Sequence, residues 1–120
     1  AYMAPEQAIG APVDLRADLY SLAVIVYRCL TGRPAFAGAH IPNILHAVVH
    51  DMPLRPSEIV PLPRDIDAVL AIAMAKQSED RFARVDDFAR HLADAARGQL
   101  SPELRSRAAA LLERQPWRQG

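Results

Sequence analysis

Lysine, cysteine, glycine and aromatic residues are all scarce in this chain of 120 residues. Lys76 is the only lysine, and every other basic residue is arginine. That bias fits a GC-rich genome, and solvated surface charge is its default reading. Lys+Arg and Asp+Glu both number 14, so the formal net charge is zero, which excludes nucleic-acid binding driven by overall charge. A single Cys29 excludes an internal disulfide and any cysteine-rich zinc site. It sits in an apolar run, which predicts a buried structural thiol rather than a reactive one. The longest such run, Leu19 to Leu30, is broken by Ser21 and Arg28 and is too short to span a bilayer. Nothing at the N terminus reads as a signal peptide, although the chain opens on Ala1, inside a motif.

What is present is helical. Hydrophobic residues make up 51% and charged residues 23%, a balance that supports one core in one domain-sized chain. Pro5 and Glu6 suit the opening turn of a short helix, because proline loses no hydrogen bond there and a carboxylate complements the helix dipole. Asp18 to Thr31 is apolar on nearly every face and long enough to be a helix, so burial on all sides is expected. Gly32 and Pro34 stop it. Ile41 to His50 carries Ile41, Ile44, Leu45 and Val48 at helical spacing. Met52 to Pro63 holds four prolines and reads as an irregular connector. Arg64 to Lys76 follows, with Ile66, Val69, Leu70 and Ala73 on one stripe. Gln77 to Arg84 reads as a polar loop. Val85 to Arg97 carries Val85, Phe88, Ala89 and Leu92 on its apolar stripe and ends at Gly98. Ser101-Pro102-Glu103 opens a last helix with Leu104, Ala108, Leu111 and Leu112 inward and Pro116 as its stop. With no repeats and no strand-like alternation, the expected fold is all-α with about five helices.

Four segments carry a family resemblance. Tyr2-Met3-Ala4-Pro5-Glu6-Gln7 resembles the end of the activation segment in bacterial serine/threonine protein kinases of the eukaryotic-like type, closed by the Ala-Pro-Glu tripeptide. Asp14 to Leu22 is similar to the start of the central helix of their large lobe. Tyr27 to Phe36 is similar to that helix's end and the following turn. Ala75 to Phe82 resembles the loop before the family's last helix. The pieces occur in the family's order and spacing, from about Tyr2 to Arg97. The resemblance implies residues 1–98 as the C-terminal part of a kinase domain and 99–120 as a helical extension outside it. Two positions depart from the pattern: Ala23 replaces a usual glycine, and Ser78-Glu79 stand where a proline is usual.

The resemblance also implies roles. Glu6 and Arg81 match a buried ion pair that ties the activation segment to the last helices; without the family they read as two unrelated surface charges. Arginine suits the tie because its planar fork grips a carboxylate with two hydrogen bonds. Asp18 matches the acid that hydrogen-bonds the backbone of the catalytic loop. Read from the chain alone, it is a cap or first-turn acid. Tyr2, Met3 and Ala4 match the loop that receives the substrate residue after the phosphoacceptor; a frayed terminus is the plainer alternative.

Phosphoryl transfer needs a lid over the phosphates, a lysine on them, magnesium ligands and a base near the hydroxyl. The chain holds no Gly-x-Gly-x-x-Gly, His-Arg-Asp, Asp-Phe-Gly or Val-Ala-x-Lys sequence, and Lys76 is in the wrong place. No catalytic residue is therefore assigned here, and ATP and magnesium belong to the intact family rather than to this segment. His46 and His50, four apart with His40 nearby, have helical zinc spacing but no evident third ligand or catalytic acid, so no metal site is assigned. Asp86 and Asp87 read as dipole partners in a first helical turn. Arg105, Arg107, Arg114 and Arg118 form a solvated face or a membrane-proximal one. The expected function is a piece of a serine/threonine kinase that phosphorylates proteins, inactive alone. Its partners would be a protein substrate and the N-terminal part of the kinase, in the cytoplasm with membrane anchoring of the parent possible. The alternative is a non-catalytic helical interaction module.

Overall fold

The computed structural model describes residues 3–10, 14–36 and 40–119. Among them the chain forms seven helices and no strand: α1 (Pro5–Ala8), α2 (Leu15–Thr31), α3 (Ile41–His50), α4 (Pro56–Ile59), α5 (Arg64–Ala73), α6 (Val85–Ala96) and α7 (Pro102–Arg114). The five longer helices are those whose periodicity is legible in the sequence, and α1 and α4 are single turns. Proline occupies the first turn of α1, α3, α4 and α7, where its missing N–H leaves no helical bond unmade. The Asp14 carboxylate caps α2 by accepting from the Arg16 N–H at 2.9 Å. Gly32 closes α2 with φ +74°, a left-handed conformation that glycine adopts without a Cβ penalty.

α5 is the centre of the core. It packs against α2, α4, α6 and α7, and Ile66, Asp67 and every residue from Val69 to Ala73 are buried. Around it α2 contributes Leu19, Tyr20, Val24 and Tyr27, α6 Phe88 and Ala95, and α7 Leu104, Ala108 and Leu111. The chain's end is tied back by the Arg118 N–H, which donates to the Pro53 carbonyl at 2.9 Å beside an isolated parallel bridge between Leu54 and Arg118.

Several sequence expectations are corrected. α2 begins at Leu15, ahead of Asp18, because Asp14 supplies the cap. It is not buried all round: Asp18, Ile25 and Cys29 lie on an exposed stripe, with Leu22 half-buried among them. Cys29 is thus an exposed thiol rather than a buried one. The helix enclosed on most sides is α5, since its neighbours surround it. On α6 the stripe is shifted: Phe88 and Ala95 are buried while Val85 and Ala89 are exposed. On α3 Ile41 is 71% exposed and Val48 alone is fully buried. The proline-rich connector contains α4, and the polar loop holds a 3-10 turn at Ser78–Asp80.

Candidate functional site

Arg81 is the most constrained polar side chain, at 2% exposure. It follows the 3-10 turn in extended backbone, which turns its side chain back under α1. Its Nη1 and Nη2 donate to Glu6 Oε2 and Oε1, each at 2.7 Å, in a two-pronged ion pair. Nη1 also donates to the Arg16 carbonyl at 2.9 Å and Nε to the Ala75 carbonyl at 2.8 Å. The guanidinium lies over the Tyr20 ring, 4.8 Å from its centroid. One side chain thus joins α1, α2 and the end of α5. Arg107 extends the cluster to α7 by donating to the Asp80 and Arg81 carbonyls at 2.8 and 3.0 Å. Burial pushes the Glu6 carboxyl up, but hydrogen bonds from Arg81, its own backbone N–H and the Arg81 charge outweigh this and hold it below the usual value.

The other sequence-singled residues lie apart from this pair. Ala4, at the head of α1, is fully buried, and its N–H donates to Gln7 Oε1 at 2.8 Å. Met3 beside it is exposed, and Tyr2 lies outside the described residues. Asp18 sits in the first turn of α2 with its side chain in solvent, on the same stripe as Ile25. Ala23 is fully buried in the core. The His46 and His50 rings lie tilted against each other with centroids 4.6 Å apart. Among the described residues no group of three or more His, Cys, Asp or Glu side chains is placed to hold a metal ion.

Two further polar side chains are turned inward. Lys76 is drawn inward at the end of α5, where Nζ donates to the Val48 carbonyl at 2.8 Å and lies 4.7 Å from the Phe36 ring centroid. Burial, reinforced by the Arg81 charge and opposed by Asp51, lowers its pKa to about 7. Asp67, on the buried face of α5, accepts from the Ser57 N–H at 3.0 Å and the Ser57 hydroxyl at 2.6 Å, which anchors α4. A lone acid inside an apolar stripe was the available hint for Asp67; for Lys76 there was none.

This geometry, an all-α assembly in which an Ala-Pro-Glu glutamate is locked to a distant arginine, is that of the large lobe of a protein kinase. Known proteins match it. No protein-family model matches the chain. The probable serine/threonine-protein kinase PknB of Bifidobacterium longum is 43% identical over 88 residues, which is 72% of this chain and 13% of that protein. The serine/threonine-protein kinase PknE of Mycobacterium tuberculosis is 37% identical over 114 residues, 94% of this chain and 19% of that protein. The crystal structure of the Mycobacterium tuberculosis PknI kinase domain superposes with a TM-score of 0.62 at 31% identity, covering 80% of this chain and 35% of that one. In sequence and fold the chain corresponds to the C-terminal part of a bacterial serine/threonine-protein kinase domain. It spans less than a fifth of the length of these curated relatives.

Proposed function

We propose that this chain is the substrate-side part of a serine/threonine protein kinase whose intact form transfers the γ-phosphoryl group of ATP to serine or threonine hydroxyls of proteins. The observation that carries this reading is the two-pronged Glu6–Arg81 pair at 2.7 Å, which fixes the Ala-Pro-Glu turn against the helical core. In this reading Glu6 and Arg81 are positioning residues. They would position the segment matched to the substrate loop; of its described members Met3 is exposed and would meet the substrate residue after the phosphoacceptor, with Ala4 buried beside it. Asp18, at the solvent-facing start of α2, would take up the backbone of the catalytic loop supplied by the N-terminal part of the kinase. Residues 1–98 form the kinase part, and residues 99–120 a helical extension docked on it through α7.

The residues described do not fit ATP and magnesium. The one lysine is spent on the Val48 carbonyl and the Tyr20 hydroxyl, the latter at 3.4 Å, and no phosphate-cradling glycine sequence is present. The segment alone is therefore inactive, and no step of phosphoryl transfer is assigned to its side chains. Its place in the cell would be the cytoplasm, in a parent that other segments could anchor; no described helix is long and apolar enough to cross a membrane.

The test has two parts. The coding sequence ahead of Ala1 is read for His-Arg-Asp and Asp-Phe-Gly in frame. The longer protein and the 120-residue chain are then assayed with labelled ATP on serine- and threonine-containing peptides. Transfer by the longer protein alone is expected. Absence of both upstream motifs, together with a cooperatively folding inactive product, would establish the helical interaction module instead.

A further inference from the structure

An open cleft of about 690 Å³ lies between α4, α5, α7 and residues 116–119. Its wall is apolar at Ala108, Leu112 and Trp117, and it is rimmed by Arg55, Arg64, Arg105 and Arg118. Two of these cations are already satisfied: Arg55 pairs with Glu58 at 3.1 Å, and Arg105 grips Asp65 with hydrogen bonds of 3.0 and 2.8 Å. Arg64 and Arg118 have no carboxylate within ion-pair distance among the described residues. The buried acid in the wall, Asp67, accepts two hydrogen bonds from Ser57 and also feels the charges of Arg55 and Arg64. Two buried donors, Trp117 Nε1 and Arg55 Nε, have no acceptor.

The cleft thus sets four guanidinium groups against two carboxylates, Glu58 and Asp67, beside an indole face. We propose that it is a binding site for an acidic or phosphorylated peptide segment. Its carboxylate or phosphate would sit between Arg64 and Arg118, and an adjacent apolar side chain would lie on Trp117. Guanidinium groups suit such oxyanions because they present paired N–H donors. The cleft has the size of pockets that enclose a few residues' worth of ligand. A peptide rather than a small metabolite is favoured because the arginine rim and the Trp117 ring line one cleft of about 690 Å³, which has room for an oxyanion and a neighbouring apolar side chain together. The site is separate from the Glu6–Arg81 cluster and does not depend on the kinase reading.

Trp117 is the only tryptophan, so its fluorescence and its indole N–H resonance report on the cleft alone. The full chain is titrated with acetyl-Ala-Phe-phosphoserine-Ala-amide, with its glutamate and unmodified serine counterparts, and with inorganic phosphate. The expected result is a downfield shift of the indole N–H with the phosphoserine and glutamate peptides. The serine peptide should bind at least about tenfold more weakly, and raising salt should weaken the charged peptides. Arg64→Ala and Arg118→Ala, both at exposed side chains, should each weaken the phosphoserine peptide about tenfold with an unchanged melting curve. Trp117→Phe, read by the peptide's own phenylalanine resonances, should weaken it by less. No perturbation of Trp117 by any ligand, or equal binding of the serine peptide, would overturn the proposal. Inorganic phosphate binding as tightly as the peptides would overturn the peptide part of it, leaving a simple anion site.

Discussion

Arg81 shows how one side chain can hold distant segments together. Its fork bonds Glu6 on α1 and carbonyls of Arg16 and Ala75, inside a core that admits almost no water. Arg81→Ala would leave the Glu6 carboxylate and several carbonyls without donors, and should cost about 3–5 kcal/mol, the usual range for breaking a buried pair. Arg105→Ala, whose bidentate pair with Asp65 is solvent-exposed, should leave the urea midpoint close to that of the parent. Equal losses in urea unfolding would remove Arg81 from its central place. Lys76 gives a second prediction, on pH. Its folded-state pKa is about 7 against an ordinary 10.5. Between those values the unfolded chain holds a proton that the folded chain has released, so stability rises with pH across that window; below it Lys76 adds no slope. Burial has the opposite consequence for Tyr20 and Tyr27, whose hydroxyls are held above the ordinary 10.0, Tyr27 at about 12, so their contribution is lost as pH climbs past 10. The melting temperature should therefore climb between about pH 7.5 and 9.5 and turn down above 10, and Lys76→Met should flatten the climb. A parent curve already flat over that range would refute the buried-amine account.

At the scale of elements, the two apolar helices exchange the roles that their sequences suggest. α2 carries the longest apolar run, Leu19 to Leu30, yet its Ile25 is 41% exposed, whereas Ile72 on the shorter α5 is fully buried. Ile72→Ala should cost about 2–5 kcal/mol through lost packing and a residual cavity, and Ile25→Ala less than about 1 kcal/mol. Chemical unfolding of the two variants separates them, and a larger loss at Ile25 would mean that α2 is the enclosed helix after all. This pair also marks where the sequence was legible. Helical spacing located four of the long helices and the length of its apolar run located α2, and Asp14, Gly32 and Ser101 explain three of their ends by capping chemistry. The stripes of α5 and α7 were readable because each meets a continuous partner surface. On α6 the reading failed at Val85 and Ala89, since only the stretch that meets α5 and Phe82 is covered, and periodicity carries no information on where a partner stops. Of the site, Arg81 was legible through family resemblance, not through composition or spacing. Lys76 was illegible because its burial depends on the Val48 carbonyl and Phe36, which the fold brings from other segments.

The molecule as a whole combines a well-packed interior with an uncovered apolar stripe. Ile25 and Cys29 follow Asp18 at helical spacing along α2 and are exposed, with Leu22 between them half-buried against the core, so one face of the helix is only partly covered. Soluble monomers seldom leave a contiguous apolar strip of this kind without a partner for it. The relatives are five or more times longer than this chain, which is consistent with further protein lying on that face in a larger molecule. The 120-residue chain should accordingly bind an apolar fluorescent dye in its native state or self-associate, while still unfolding cooperatively through its α5-centred core. Ile25→Gln should lower the dye signal or the associated fraction and leave the unfolding midpoint nearly unchanged, because the side chain contributes little to the core. Dye titration with sedimentation of parent and variant distinguishes the possibilities. A monodisperse parent without dye binding would show that the stripe is too narrow to act as an apolar surface. A loss of cooperativity in the variant would show that α2 is held from this side as well, by contacts that the exposure of Ile25 does not reveal.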